Sequence, residues 1–173
     1  MQTISRAGFL RGDWTGKHKA TPLPWSVSTP AFFDACTSCG DCVDVCPQSI
    51  IEEGPGGYPQ LNFAQDSCTF CGDCAQVCEH GAFNLPATTQ EPALLQAEIR
   101  KDCLAHRNIL CSTCGDACEV EAISFQPAVR TVPQPRIDTT TCTGCGECYR
   151  YCPVEAIQIF RTPIRQEITA TRD

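Results

Sequence analysis

Residues 36–47 read CTSCGDCVDVCP, which places four cysteines in the pattern C-x2-C-x2-C-x3-C followed by proline. The same cysteine spacing returns at 68–78 and again, with its proline, at 142–153. A further run is stretched, because seven residues separate its first two cysteines. The four runs use all 16 cysteines of the chain: Cys36, Cys39, Cys42 and Cys46; Cys68, Cys71, Cys74 and Cys78; Cys103, Cys111, Cys114 and Cys118; Cys142, Cys145, Cys148 and Cys152.

This spacing indicates iron–sulfur chemistry. Cysteines at every third residue let a tight loop wrap three iron corners of one cubane, and the fourth cysteine is expected to start a helix that leads to the neighbouring cubane. Zinc sites use two separated cysteine pairs, disulfide frameworks suit small secreted chains, and redox C-x-x-C chemistry needs one pair. The runs therefore predict four [4Fe–4S] clusters with every cysteine as a ligand.

The crossing of the fourth cysteine assigns the ligands of each cluster. Consecutive runs are expected to pair because shorter loops cost less closure entropy, by only about 1 kcal/mol. Pairing of the first run with the fourth and the second with the third is the alternative. The predicted sets are Cys36, Cys39, Cys42 and Cys78 (set 1); Cys68, Cys71, Cys74 and Cys46 (set 2); Cys103, Cys111, Cys114 and Cys152 (set 3); Cys142, Cys145, Cys148 and Cys118 (set 4).

The predicted fold class is α+β, with two tandem bacterial-type 2[4Fe–4S] ferredoxin-like units, little regular secondary structure and the clusters as the core. Because so little apolar surface remains for a conventional core, the apoprotein is expected to be largely unfolded. The expected parts are a basic, Pro- and Trp-bearing arm at 1–35, units at 36–86 and 103–160, a linker at 87–102 and a tail at 161–173.

Local patterns predict the elements around the runs. A short helix should begin between the third and fourth cysteine of each run, and a strand should follow the run. The other expected elements are a strand at 49–51, a Gly/Pro turn at 52–57, a returning strand at 58–63, a helix beginning within 91–99, a strand at 122–125, a Pro-rich turn at 127–135 and a strand at 156–160.

Composition excludes several function classes. The formal charge of −7 disfavours nucleic acid and favours partners with basic patches. No apolar run of about 18 residues exists, so no membrane span is predicted. No nucleotide loop or catalytic grouping is visible, so a non-catalytic protein is expected. The segment 5–10 is similar to a twin-arginine signal, but Ala7 replaces the second arginine and no apolar stretch follows, which predicts a cytoplasmic protein.

Two irregular segments are candidates for specific roles. The arm at 1–35 contains both tryptophans, Trp14 and Trp25, and is either a partner-docking segment or a cover for the first cluster formed by Trp25 and Phe32–Phe33. The seven-residue insertion of the stretched run predicts a looser and more labile or partner-sensitive cluster. Within it, His106 is interpreted as a surface histidine rather than as a ligand.

The chain resembles the NapF family of ferredoxin-type proteins of the periplasmic nitrate reductase system. The resemblance rests on Ser5, Arg6 and Gly8, on Pro24-Trp25-Ser26, on Gly56-Gly57-Tyr58-Pro59 with Asn62-Phe63, and on the run that opens Cys103-Leu104-Ala105. Many relatives have a second arginine where this chain has Ala7. The resemblance implies a cytoplasmic protein with four [4Fe–4S] clusters that binds the precursor of the catalytic subunit, NapA, and assists its cluster insertion or reduction before export. An electron-transfer polyferredoxin that feeds a redox chain is the alternative.

Overall fold

A computed structural model of the chain describes residues 23–84 and 95–161. Within these ranges the chain forms two compact units. The first contains residues 23–62 and 70–84, and the second contains residues 63–69 and 95–161. The regular elements are few and short, as an α+β fold with little regular secondary structure requires.

The α-helices follow the cysteine runs. After α1 (Thr29–Ala35), four single-turn helices each begin one residue before the third cysteine of a run: α2 (Asp41–Asp44), α3 (Asp73–Gln76), α4 (Thr113–Asp116) and α5 (Glu147–Arg150). A short helix in each run is thus confirmed, although it begins earlier than expected. None of the helices in the described part of the chain is long and apolar enough to cross a membrane.

The expectation that the fourth cysteine starts a helix is wrong. Each single-turn helix ends before that cysteine, and the chain then turns sharply. The turn depends on the third residue after the cysteine, which has a left-handed backbone in all four runs and therefore cannot continue a right-handed helix. These residues are Ser49, Gly81, Glu121 and Glu155, with φ between 49° and 72°.

A β-hairpin follows the first run of each unit. In the first unit, β1 (Ile51–Glu53) pairs antiparallel with β2 (Pro59–Leu61) across a 3₁₀ turn at Pro55–Gly57. The Gly/Pro turn is therefore shorter than the predicted 52–57, because Glu52 and Glu53 lie in β1, and the strand predicted at 49–51 begins only at Ile51. In the second, β4 (Ile123–Gln126) pairs antiparallel with β5 (Gln134–Ile137). The predicted Pro-rich turn is therefore shorter than 127–135, because Gln134 and Pro135 lie in β5.

In each unit, a second backbone pairing joins the segment before the first cysteine run to the segment after the second cysteine run. In the second unit, β3 (Leu95–Ile99) pairs antiparallel with β6 (Ile157–Arg161). The predicted helix within 91–99 is wrong over residues 95–99, which form a strand of this unit rather than a linker; residues 91–94 lie outside the described ranges. The strand forms because alternate residues Leu95 and Ala97 are buried against the partner strand.

The equivalent pairing in the first unit is a single β-bridge between Ser26 and Phe83. It is flanked by a hydrogen bond from the Asn84 N–H to the Trp25 carbonyl at 2.8 Å. Leu23, Trp25 and Ser26 are buried. Residues 23–35 of the predicted arm therefore belong to the fold of the first unit, whereas Trp14 lies outside the described residues.

Residues Phe63–Thr69, which lead into the second cysteine run and include its first cysteine, Cys68, pack in the second unit. The buried Phe63 ring lies against Gly146, so closely that a Cβ at Gly146 would overlap it. Asp66 forms an ion pair with Arg150 at 3.6 Å. The loop and helix of the last cysteine run are thus covered by a segment made much earlier in the chain.

Buried apolar side chains are few in both units. The largest contributions are single Ile, Leu, Phe and Trp residues, and many of the others are alanines. Units of this size rarely fold on such burial alone. The buried set, cysteines aside, is Leu23, Trp25, Phe32, Ile50, Ile51, Leu61, Ala75 and Ala82 in the first unit and Phe63, Leu95, Ala97, Ala105, Ala122, Ile123, Ala156, Ile157 and Ile159 in the second.

Candidate iron–sulfur centres

Set 1 surrounds a cavity in the first unit. The cavity is lined by Cys36, Cys39, Cys42 and Cys78, with Phe32 on its wall. Burial, and then the neighbouring cysteines of the same set, raise the pKa of Cys42 from 9.0 to about 11. The structure therefore brings the last cysteine of the second run beside the first three of the first run.

Ser38 tests whether an iron–sulfur cluster fits this cavity. Its Oγ is the one buried side-chain nitrogen or oxygen in the described residues that has no hydrogen-bond partner. Buried hydroxyl groups are nearly always hydrogen-bonded. Because Ser38 lines the cavity of set 1, its hydroxyl would donate a hydrogen bond to a cluster sulfur or a ligating thiolate there. The donor set and the orphaned hydroxyl both fit such a cluster.

Set 3 lines an equivalent cavity in the second unit. Cys103, Cys111, Cys114 and Cys152 face it, and most of the remaining wall is apolar, including Phe125. Burial, and then Cys103, Cys111 and Cys152, raise the pKa of Cys114 from 9.0 to about 11. Cys103 therefore lines the same cavity as Cys111 in spite of the seven residues between them.

Set 4 lies beside set 3 in the second unit. Burial, followed by Cys145 and Cys142, raises the pKa of Cys148 from 9.0 to about 12. Cys114 and Cys118 contribute to the same shift. The neighbourhood of Cys148 thus contains its three predicted partners and one cysteine of set 3, as two adjacent clusters require.

The convergence of the four set 2 cysteines on one cluster remains a prediction. Cys74 is buried in α3, Cys71 is exposed, and Cys46 and Cys68 are half-buried. The helix α3 contacts α2, as α5 contacts α4 in the second unit. By this analogy, set 2 is expected to lie beside set 1.

Backbone N–H groups donate hydrogen bonds to two of the ligand sulfur atoms. The Ala122 N–H donates to the Cys118 Sγ at 3.3 Å, and the Ala156 N–H donates to the Cys152 Sγ at 3.2 Å. Such donors favour the thiolate and tune the reduction potential of a bound cluster. In these two runs of the second unit the turn after the fourth cysteine serves the ligand directly, because its left-handed residue (Glu121 or Glu155) precedes the donating alanine.

The stretched loop of set 3 is folded onto itself and is not the loose wrap that its length predicted. It contains a 3₁₀ turn (Ala105–Arg107), and the carbonyl of the buried Ala105 accepts a hydrogen bond from the Gln134 Nε2 at 3.0 Å. Asn108, at φ 62°, then redirects the chain towards Cys111. His106 is exposed, its Nδ1 lies 3.1 Å from the Arg100 carbonyl, and it does not line the cavity.

The geometry differs from that of a mononuclear metal site. Across residues 23–84 and 95–161, no three His, Cys, Asp or Glu side chains converge closely enough to hold one metal ion. Sets 1 and 3 instead line cavities with four sulfur atoms each. A polynuclear cluster with four irons, each bound by one thiolate, suits this arrangement.

Comparison with protein families agrees with this chemistry. The family described as "4Fe-4S dicluster domain" matches residues 35–82 and 109–156. The matches contain fifteen of the 16 cysteines. Cys103 precedes the second match, so the stretched loop is a departure of this chain from that family's pattern. Cys103 was assigned to set 3 from the cysteine spacing, and in the structure it lines the same cavity as Cys111.

Whole-chain relatives are ferredoxin-type proteins. The ferredoxin-type protein NapF of Escherichia coli K12 is 39% identical over 153 residues, which cover 88% of this chain and 92% of that protein. NapF of Haemophilus influenzae is 40% identical over 167 residues, covering 91% and 94%. The methylamine utilization ferredoxin-type protein MauM of Methylobacillus flagellatus is 32% identical over 157 residues, covering 81% and 67%.

Proposed function

Because the chain belongs to the ferredoxin-type NapF family and contains two dicluster domains, and hence four [4Fe–4S] clusters, we propose that it assists the maturation of a periplasmic nitrate reductase. In this role it binds the cytoplasmic precursor of the catalytic subunit, NapA, and helps to insert or reduce that subunit's own cluster before export. The observation that carries the proposal is similarity to NapF proteins along nearly their whole length.

The proposal includes the four ligand sets. The convergence of sets 1 and 3 on cavities, and of Cys118 with the cysteines of set 4, supports the crossing of each fourth cysteine to the neighbouring cluster. Within each set the thiolates hold the iron, and the neighbouring N–H groups and apolar walls limit solvent access. Bound clusters supply one-electron chemistry, so the protein acts as a non-catalytic cytoplasmic carrier rather than as an enzyme.

The charge distribution favours a basic partner for the first unit. Its described residues contain no Lys or Arg, and they contain seven acids: Asp34, Asp41, Asp44, Glu52, Glu53, Asp73 and Glu79. Bound clusters would make this unit more acidic still, since each oxidised [4Fe–4S] centre with four thiolates adds roughly −2. A basic segment of a protein awaiting export is therefore a suitable ligand by long-range attraction.

The docking role proposed for the N-terminal arm is confined to residues 1–22. That segment contains Arg6, Arg11, Lys17 and Lys19 against Asp13 alone. Residues 23–35 are excluded because they include buried parts of the first unit. A deletion that tests the arm should therefore stop ahead of Leu23, so that a loss of precursor binding is not a loss of folding.

The assembly role is tested by deleting the protein and isolating the nitrate reductase catalytic subunit anaerobically. We expect that subunit to lack most of its iron, because its cluster is not installed, while the complementing wild-type protein itself contains about sixteen iron atoms per chain. A fully metallated catalytic subunit from the deletion strain contradicts the assembly role.

The alternative function is electron transfer to a redox chain without any assembly role. It is favoured by the similarity to MauM, a ferredoxin-type protein of methylamine utilization. In the same deletion experiment this function predicts a fully metallated catalytic subunit that is reduced slowly in cells. Iron content and reduction rate together therefore distinguish the two functions.

A further inference from the structure

The residue before the second cysteine of each run occupies an equivalent position beside a ligand, and in two runs of the first unit it is covered. Ser38 lies under the β1–β2 turn, where a Cβ on Gly57 would be 3.4 Å from the Ser38 Cβ. Phe70 meets the ring of Trp25 edge to face, with centroids 6.1 Å apart. Both residues are half-buried by these contacts.

The same position in the last run is also covered. A Cβ on Gly144 would come within 2.5 Å of Leu95 in β3, so the strand lies directly on this loop. In three of the four runs a segment of the same unit therefore covers the position, and the residue there is small or half-buried.

Leu110 is the exception. It precedes Cys111 in the stretched run and is 75% exposed, and its neighbour Ile109 is 49% exposed. Both follow a loop base that is fixed by the buried Ala105 and by its hydrogen bond from Gln134. A fixed loop that holds two large aliphatic side chains in water beside a ligand indicates an interaction surface.

A second ligand of the same set is also bordered by apolar surface. Cys152 is preceded by Tyr151, which is 47% exposed, and followed by the exposed Pro153. Pro153 lines the cavity of set 3 together with Cys111 and Cys152. Aromatic side chains of this kind are enriched at protein interfaces.

The charge of the stretched loop favours an acidic partner. Residues 103–115 contain no acidic residue, and Arg107 and His106 are exposed. Within the described residues, the Arg107 side chain has no ion-pair partner: the pairs there join Arg100 to Asp102 and Arg150 to two acids. The first unit, in contrast, has no cation in its described residues and would repel an acidic protein.

We propose that Arg107, Ile109, Leu110 and Tyr151, the set 3 surface, form the docking site of an acidic one-electron carrier protein. The carrier docks its apolar patch on Leu110 and its carboxylates on Arg107. One electron passes from the reduced carrier to the cluster held by set 3, so the carrier is oxidised by one electron and the cluster is reduced by one, and no covalent bond changes. The proposal rests on cluster occupancy and not on the assembly role.

The test measures anaerobic stopped-flow reduction of the holoprotein by an acidic flavodoxin in its hydroquinone form. Leu110→Ser should lower the second-order rate constant about tenfold, as loss of a central apolar contact does. Arg107→Glu should lower it about tenfold at low ionic strength and flatten its salt dependence. The matched control is Val129→Ser, because Val129 is 89% exposed between β4 and β5 of the same unit but borders no cysteine.

Iron content and the electron paramagnetic resonance spectrum of each variant check that set 3 is intact, and Arg107→Gln provides a milder variant with the same expected direction. Equal rates for Leu110→Ser and Val129→Ser would overturn the proposal. A second assay measures oxidation of the reduced holoprotein by a basic cytochrome c. If Leu110→Ser slows this oxidation as strongly as it slows reduction by the flavodoxin, the proposal is also overturned, since the surface would then not select acidic partners.

Discussion

Glycines with a left-handed backbone stand before three of the single-turn helices. Gly40, Gly72 and Gly146 have φ of 91°, 85° and 90°, a conformation that costs other residues energy. Their surroundings differ, because a Cβ on Gly40 would meet nothing within 4 Å whereas one on Gly146 would overlap Phe63. In the stretched run, Ser112 takes the place of the glycine, and its φ of −126° needs no left-handed backbone.

The two glycines predict different costs for the same substitution. Gly40→Ala should destabilise the holoprotein by about 1 kcal/mol through its backbone alone. Gly146→Ala should cost roughly 1–3 kcal/mol more, because the added methyl group displaces Phe63. Anaerobic urea unfolding of the holoprotein measures both. Equal destabilisation would contradict the packing of Phe63 on Gly146, and adding Phe63→Ala should remove the difference.

The elements that the sequence predicted are those with local causes. The cysteine spacing places each single-turn helix, and the Gly/Pro turn places β1 and β2, since both signals act within a few residues. The strand β3 was mistaken for the start of a helix because Pro92 and the residues after it favour a first helical turn. Its true partner, β6, lies about 60 residues away in sequence. Such non-local pairing overrides local propensity.

The features of the candidate site likewise separate into those with local causes and those that depend on contacts between distant segments. The cysteines and their crossing followed from spacing, whereas the packing of Phe63–Thr69 on the last run and the exposure of Leu110 depend on contacts between distant segments. No periodic signal marks either feature. The position of Leu110 becomes informative only when it is compared with Ser38, Phe70 and Gly144 in the folded units.

Because β3 is a strand of the second unit, its buried and exposed residues should differ in their effect on stability. Leu95→Ala should destabilise the second unit by about 2–5 kcal/mol, because Leu95 is buried between β6 and the Gly144 loop. Glu98→Ala, an exposed position of the same strand, should change stability by less than about 0.5 kcal/mol. Anaerobic denaturant unfolding provides both values. If residues 95–99 were only a linker, the two variants would be equally neutral.

In the molecule as a whole, folding, iron binding and proton release are linked. Without iron, burial raises the pKa of thiols in these sets, to about 11 for Cys42 and Cys114 and to about 12 for Cys148. A raised pKa favours the neutral thiol, so this contribution to the iron-free fold is present below pH 9 and is lost as pH rises through about 11. Iron binds thiolates, and loading a set therefore releases protons.

Reconstitution of the apoprotein with ferrous iron and sulfide should accordingly be favoured by alkaline pH. The rate should rise between about pH 7 and about pH 9, by up to about tenfold per pH unit for each proton lost before the rate-limiting step. Charge-transfer absorbance follows the clusters, and circular dichroism follows folding in the same sample. Folding that precedes the absorbance, or a rate independent of pH, contradicts the linkage.

The packing of Phe63–Thr69 in the second unit has a consequence for biosynthesis. At about 5–20 residues per second, roughly 4–17 s separate the translation of Phe63 from that of Gly146, the residue on which its ring rests. During this interval the chain still lacks Gly146, and ten of the 16 cysteines, Cys68 to Cys145, are translated. The second unit is completed only when its own last run reaches back to a segment that the ribosome released first, so its clusters are acquired late in the life of the nascent chain.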